Sequence, residues 1–365
     1  MEKDLLLSDG SFLRYLKKDY KFYLNQTTLL FGQTASGKST IINDIMYMCK
    51  DYIPNIFVIC LSVVTVSSSD YYNKIPTNCI KSTVTKEWLE DLMRIQKGRA
   101  SIYKTASDRA TQKRVFDKIA TSNEFALEND ILNKSNSFIN IINNNSKLDF
   151  AQKKEQISEI EDIRNKHLKE LYKTHIRKNK IRLETRNDLT KEEICCVKNL
   201  DFNPNLMLIL DDCASSFKKW VKESTIIKEM FYMGRHSFIT LIISSQDDKE
   251  IESELRKNAI ITIFTTSQAA NANFCRASNS YSKLIKQRAD LCTNRVFNNQ
   301  SNRNHKKLVY HSKSHQDNFY YTIADLYPQF RMGCNSIWEL DKGISELNKE
   351  SNADESHFFT QYYDK

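Results

Sequence analysis

Five short runs of aliphatic and β-branched residues punctuate the chain, at 27–31, 56–61, 206–210, 238–244 and 260–264. None alternates polar with apolar, so each predicts a strand buried on both faces, the pattern of a parallel sheet covered by helices. Other stretches carry apolar groups at helical spacing instead. Ile41, Ile42, Ile45, Met46, Met48 and Cys49 form one such face, and Trp88, Leu89, Leu92 and Ile95 another, in a helix that starts at Thr85 and runs toward Lys97-Gly98-Arg99. Ile157, Ile160, Ile163, Leu168, Leu171 and Ile176 make a long stripe, and further helices are expected over Ser216 to Met233 and near 268 to 292. Lys307 to Ser312 and Phe319 to Ile323 pair as a hairpin, while Phe12, Leu13, Tyr15 and Leu16 suggest a turn of helix or an edge element. The longest apolar run, Ile56 to Val64, is far short of the ~20 residues a membrane helix needs.

The transition from the first strand to the first helix carries the chemistry. Gly32-Gln33-Thr34-Ala35-Ser36-Gly37-Lys38-Ser39 satisfies G-x-x-x-x-G-K-[ST], with Thr40 following, a strand before it and an apolar helix behind it. This is a Walker A loop. Its glycines allow a turn tight enough for successive amides to face phosphate oxygens, and the helix adds its N-terminal partial charge. Lys38 is expected to reach the β- and γ-phosphates of ATP, and Ser39 to ligate Mg²⁺. Only 7 glycines occur in the chain and two stand at the demanded positions, which argues against a chance match.

The third run ends in Asp211-Asp212, the Walker B pattern. A buried strand delivers Asp211 to the C-terminal edge of a parallel sheet, where it can hold the magnesium beside Ser39. Asp212 is placed to orient or deprotonate the attacking water, although it is one methylene shorter than the glutamate commoner in that role. The fourth run ends at Gln246, positioned as a polar sensor of the γ-phosphate if its strand lies between the two Walker strands. No N-K-x-D or following D-x-x-G stretch is present, which favours ATP over GTP. The expected fold is therefore α/β, a P-loop NTPase of the additional-strand type with a central, mostly parallel sheet, a long helical insertion and a C-terminal β-hairpin.

Composition sharpens the outer parts. Four prolines and 27% charged residues point to extended solvated helices, and a net charge of +9 makes a polyanionic partner plausible without naming it. Nine cysteines without a C-x-x-C pair, and an acidic N-terminus unlike a signal peptide, predict reduced thiols and an intracellular setting. His311 and His315 lack a third metal ligand. The divisions expected are a lead-in over 1–26, an ATPase core over 27–99 and 201–330, a charged helical insertion over 100–200 with a mobile Asn/Ser-rich tip at 133–146, and a polar, frayed tail over 331–365. Basic residues cluster before that tip (Arg94 to Lys118) and after it (Lys166 to Arg186), either as a solvated face or as contacts to a phosphate backbone.

Taken in order, FGQTASGKST, LMLILDDC, GRHSFITLIISSQ and LRKNAIITIF resemble the FtsK-HerA superfamily of DNA-pumping ATPases. They are most similar to the poxvirus-type genome-packaging ATPases of nucleocytoplasmic large DNA viruses. The resemblance covers about 27–95 and 204–325 and omits the insertion. It implies a homo-oligomeric ring that translocates double-stranded DNA into a preformed capsid, in host cytoplasm or nucleus, with a capsid or portal-vertex protein as a further partner. It also implies an arginine reaching the neighbouring subunit's γ-phosphate, for which Arg235 is the first candidate and Arg256 the second. The residues alone leave other readings open. A P-loop nucleotide or small-molecule kinase would use the insertion as a lid, and a nucleotide-timed scaffold would use it to hold a protein.

Overall fold

The computed structural model describes residues 4–60, 74–82, 84–298, 306–314 and 317–350. Leu61, the Ser/Thr-rich loop through Tyr72, Arg303, His305 and His315 lie outside the described residues. Ten strands form one sheet: β1 (Leu5–Leu6), β2 (Phe12–Tyr15), β3 (Thr27–Phe31), β4 (Asn55–Cys60), β5 (Ile80–Lys81), β6 (Leu206–Asp211), β7 (Ile239–Ser245), β8 (Ile261–Phe264), β9 (Lys306–His311) and β10 (Phe319–Ile323). Their order is β1-β2-β10-β9-β8-β3-β7-β6-β4-β5. From β8 to β5 every pairing is parallel, and β9 runs antiparallel to both β8 and β10.

The reason for the parallel centre is visible in burial. Every residue of β3, β4, β6, β7 and β8 is buried, as only strands with helices on both faces can be. Leu29, Leu208 and Ile242 have no exposed surface, and truncating one of them to alanine would cost about 2–5 kcal/mol. The register aligns the strand ends: Phe31 lies opposite Ser245 and Phe264, and Asp211 opposite Ser244 and Cys60. Five strands therefore end at one edge of the sheet. β7, which ends next to Gln246, sits between β3 and β6.

Several elements differ from the sequence expectation for local reasons. Phe12–Tyr15 is a strand between β1 and β10, antiparallel to the first and parallel to the second, with Leu13 buried and Phe12 exposed, an alternation too short to read against a helical turn. The helix expected over Ser216 to Met233 is two, Ala214–Glu223 and Ile226–Met233. They part at Ser224, whose hydroxyl accepts from the Ile226 amide at 3.2 Å and donates to Glu90 at 3.0 Å, competing with the helical ladder. The C-terminal segment is not wholly a frayed tail, because Asn335–Glu350 is a helix. Ile337 on it is fully buried, and the Asp341 carboxylate accepts from the Asn78 amide at 2.7 Å.

Residues 98–203 make a separate compact unit. Two helices, Ser122–Asn144 and Phe150–Lys178, form a hairpin, each opened by a capping box, Thr121 with Glu124 and Asp149 with Gln152. The first helix runs through the Asn/Ser-rich stretch, so only the turn at 145–149 forms the tip. Phe116, Leu168 and Tyr172 form one small core of the unit, and Val115, Ile176, Leu183 and Cys196 belong to another. Among the described residues of the whole chain, no helix is long and apolar enough to cross a membrane.

Candidate nucleotide site

β3 hands the chain to the loop at Gly32, and the loop ends where the helix Lys38–Cys49 begins. Gly32 is forced by the residue just past the end of β8. A Cβ there would lie 1.7 Å from the Thr265 hydroxyl, which itself hydrogen-bonds the Ser36 hydroxyl at 2.5 Å and the Phe31 carbonyl at 3.2 Å. Gly37, at φ +89°, occupies the left-handed region that lets the loop turn into the helix. Ala35 also has positive φ, at +60°. Lys38 is buried, and its ammonium donates to the Gly32 carbonyl at 2.7 Å and the Gln33 carbonyl at 3.2 Å. A buried cation satisfied by loop carbonyls, with no ion pair among the described residues, has charge left for an anion.

β6 brings Asp211, buried, to the same edge. Asp212 follows in the left-handed region at φ +48°, its amide donating to the Ser244 carbonyl at 3.3 Å, so its side chain leaves the strand direction. Burial pushes the Asp212 carboxyl up; Lys38 pulls it back, while Asp211 and Glu250 add to the rise. Glu250 went unnoticed in sequence because it lies in a loop after β7, four residues beyond Gln246. The Ser245 hydroxyl donates to its carboxylate and to the Asp247 carbonyl.

No family model matches the chain. Over 370 residues it is 28% identical to an uncharacterized protein, B354L, of African swine fever virus, with 97% of each chain covered, and the same holds for B354L of several isolates. Among solved structures it resembles the genome packaging NTPase B204 of Sulfolobus turreted icosahedral virus 2 bound to ATP-gammaS (13% identity, TM-score 0.36, 84% of this chain and 100% of that one). It also resembles VirB4 of Thermoanaerobacter pseudethanolicus (10%, 0.37, 89% and 96%) and the conjugation coupling protein TcpA of pCW3 (11%, 0.36, 95% and 70%). At such scores these structural likenesses carry no argument about this chain's chemistry.

Gln246 is exposed and lines a cleft of about 390 Å³ with Gln33, Lys249, Gln268 and Arg276 beside the loop. The two arginines singled out in sequence part company. Arg256 is buried and donates to the carbonyls of Asp248 (2.6 Å) and Ile251 and to the Asn279 side chain (2.9 Å), within 3.8 Å of the Asp248 carboxylate. Bound in this way to the loop after Gln246 in its own chain, it is not free to reach a neighbouring molecule. Arg235 is exposed, its Nε 3.2 Å from His236, at the N-terminal end of β7. Seven strand residues separate it from the loop edge, about 20 Å at ~3.3 Å per residue.

The metal donors fit the expected ion by chemistry. A hydroxyl and carboxylates are hard oxygen ligands, and among the described residues no cluster of three or more His, Cys, Asp or Glu offers an all-protein cage. Magnesium suits such a sparse set, since it keeps waters and takes phosphate oxygens. At His311 burial pushes the imidazole down, and its ring lies 5.2 Å from that of Phe22.

Proposed function

We propose that this protein is an ATPase that drives double-stranded DNA and packages a viral genome into a capsid as a homo-oligomeric ring. The observation that carries the reading is the convergence of Gly32 to Thr40, Asp211, Asp212 and Gln246 at one sheet edge, with the Gln246 strand between the two Walker strands. The sequence resemblance to DNA-pumping ATPases and the viral source of a relative matched along 97% of the chain support the cellular setting.

In this mechanism the loop amides cradle the phosphates and Lys38 exchanges its two carbonyl partners for phosphate oxygens. Ser39 and Asp211 would hold Mg²⁺, which neutralises charge on the phosphates. Asp212, charged in the working state, orients the attacking water and takes up its proton. Gln246 senses the terminal phosphate from its exposed cleft. Arg235, too far from its own loop, acts on the nucleotide of the adjacent subunit.

Binding of DNA falls to lysines left over from internal pairing. In the helical unit Lys113 meets Glu128 at 3.2 Å, Lys118 meets Glu193 at 2.7 Å and Arg186 meets Asp188 at 2.7 Å. Lys166, Lys169 and Lys173 share one face of the helix Phe150–Lys178 and form no ion pair among the described residues. The test is steady-state ATP hydrolysis with and without long double-stranded DNA at two salt concentrations, with Lys38→Ala as the blank. Stimulation that fades with salt is expected; hydrolysis indifferent to DNA would sink the packaging reading.

One observation favours a second reading, a nucleotide-timed scaffold. The helical hairpin leaves Phe138, Ile141 and Ile163 more than half exposed, beside a groove of about 500 Å³ lined by Ile131, Phe138, Ile160 and Ile163. ATP-independent capture of a capsid protein by the full chain, lost on Phe138→Ser, would support it.

A further inference from the structure

Lys307, where the hairpin expected from the sequence begins, is only 3% exposed. It sits on β9, opposite Thr322 of the hairpin partner and next to Leu308, which pairs with Phe264 of β8. Its ammonium donates to the Ser36 carbonyl at 2.6 Å, and a Cβ built on Gly37 would lie 3.2 Å from it. Among the described residues no acid pairs with it. Burying a lysine without a counter-ion is costly, and such a cost is tolerated where the charge has a use.

Peptide geometry supplies that use. A trans peptide points its C=O and the following N–H in opposite directions. The Lys307 ammonium grips the Ser36 carbonyl from the hairpin side, so the Gly37 N–H of the same peptide is aimed away from the hairpin. A cation on the carbonyl also polarises the amide and strengthens the N–H as a donor. Gly37 is the residue at which the loop enters the helix, and its N–H belongs to the set that a phosphate would meet.

We propose that Lys307 is a positioning residue of the nucleotide site, holding the Ser36–Gly37 peptide so that the Gly37 amide is oriented and strengthened toward the bound phosphates. This rests on the nucleotide-binding reading of the loop and adds the late hairpin to the site. Burial alone moves the Lys307 ammonium, down to about 8, and among the described residues the Ser36 carbonyl, Gly37 and Thr322, none of them titratable, face it. Most of its charge is therefore present at pH 7 and fades toward pH 9.

The experiment is ADP binding to the full chain by calorimetry at pH 7 and pH 9, with Lys307→Met, Lys307→Arg and Lys38→Ala. Lys307→Met keeps the apolar stem and removes the charge. Its Kd at pH 7 is expected to rise about tenfold, as for loss of one charge-assisted hydrogen bond. The wild-type Kd is expected to weaken between pH 7 and pH 9 relative to Lys307→Met, and Lys307→Arg to recover part of the affinity. Thermal stability separates this role from scaffolding. Because removal of a buried unpaired ammonium relieves desolvation, Lys307→Met is expected to melt no lower than wild type while binding ADP more weakly. Equal affinity of wild type and Lys307→Met at both pH values would overturn the proposal. Failure of the wild type to bind ADP, or binding unaffected by Lys38→Ala, would instead overturn the reading of the loop itself.

Discussion

Basic residues at the C-terminal edge of the central strands and those in the helical unit are used in opposite ways. In the helical unit Lys113, Lys118, Arg177 and Arg186 each meet a carboxylate of the same unit, so part of what looks like a polyanion-binding cluster in sequence is spent on internal order. At the sheet edge Lys38 and Lys307 are buried and, among the described residues, donate only to backbone carbonyls. A carbonyl answers a hydrogen-bond donor but does not cancel its charge. Buried positive charge without an acid marks the place that waits for an anion, whereas the density of lysines along a helix does not.

The contrast breaks most sharply at Arg235, the exposed cation of the core. Arg235→Ala is expected to lower kcat about 10³-fold while leaving ADP binding intact. Mixing it with Lys38→Ala subunits should restore part of the activity, since each then supplies what the other lacks; no recovery in steady-state assays would count against action between subunits. Next comes the acid at the same edge. Because burial raises the Asp212 carboxyl and it works in its charged form, acidification protonates it sooner than an ordinary aspartate. The acid limb of the kcat profile should lie above that of a solvent-exposed aspartate, and Asp212→Asn should be slow with that limb gone.

Arg256 tests the buried, paired end of the contrast. Arg256→Met strips Asp248 of one of its two arginines and leaves the Ile251 carbonyl without its donor, and is expected to cost about 3 kcal/mol in urea unfolding. An effect on kcat without loss of stability would restore it as an active-site arginine. The smallest effects belong to the helical unit. Replacing Lys166, Lys169 and Lys173 with Gln should leave folding unchanged and reduce the salt slope of DNA binding by about one for each phosphate no longer neutralised. Lys180→Gln, which removes a 3.9 Å pair with Glu184 one helical turn away, should cost under about 0.5 kcal/mol and leave DNA binding alone. If the two behaved alike, pairing would not be what sorts these lysines.

The core strands and the turn from β3 into its helix could be read from the chain because their signals are local. An unbroken apolar run such as LMLIL suits only a strand covered on both faces, and a loop that folds around phosphate needs Gly32 and Gly37 at fixed spacing. The strand Phe12–Tyr15 and the break at Ser224 carry no comparable pattern, since one depends on finding β10 some 300 residues later and the other on a hydroxyl bond to Glu90. The Asn-rich stretch was misleading because asparagine's preference for turns is worth only tenths of a kcal/mol per residue and yields to packing against a second helix.

What the sequence determined by itself, then, is the inventory of the candidate site: a glycine-punctuated loop between strand and helix, two carboxylates and a polar strand end, each flanked by the element that presents it. Tertiary structure decided how the remaining cations are employed. Arg235 and Arg256 are indistinguishable as letters, yet one is exposed at the far edge of the sheet and the other is locked among carbonyls of its own chain. Lys307 acquires its place behind the Ser36 carbonyl only when β9 lies against β8, across a separation of 271 residues. Charge is written in the sequence, but whether it is neutralised depends on which oxygen lies within about 3 Å, and that is fixed only when distant segments meet.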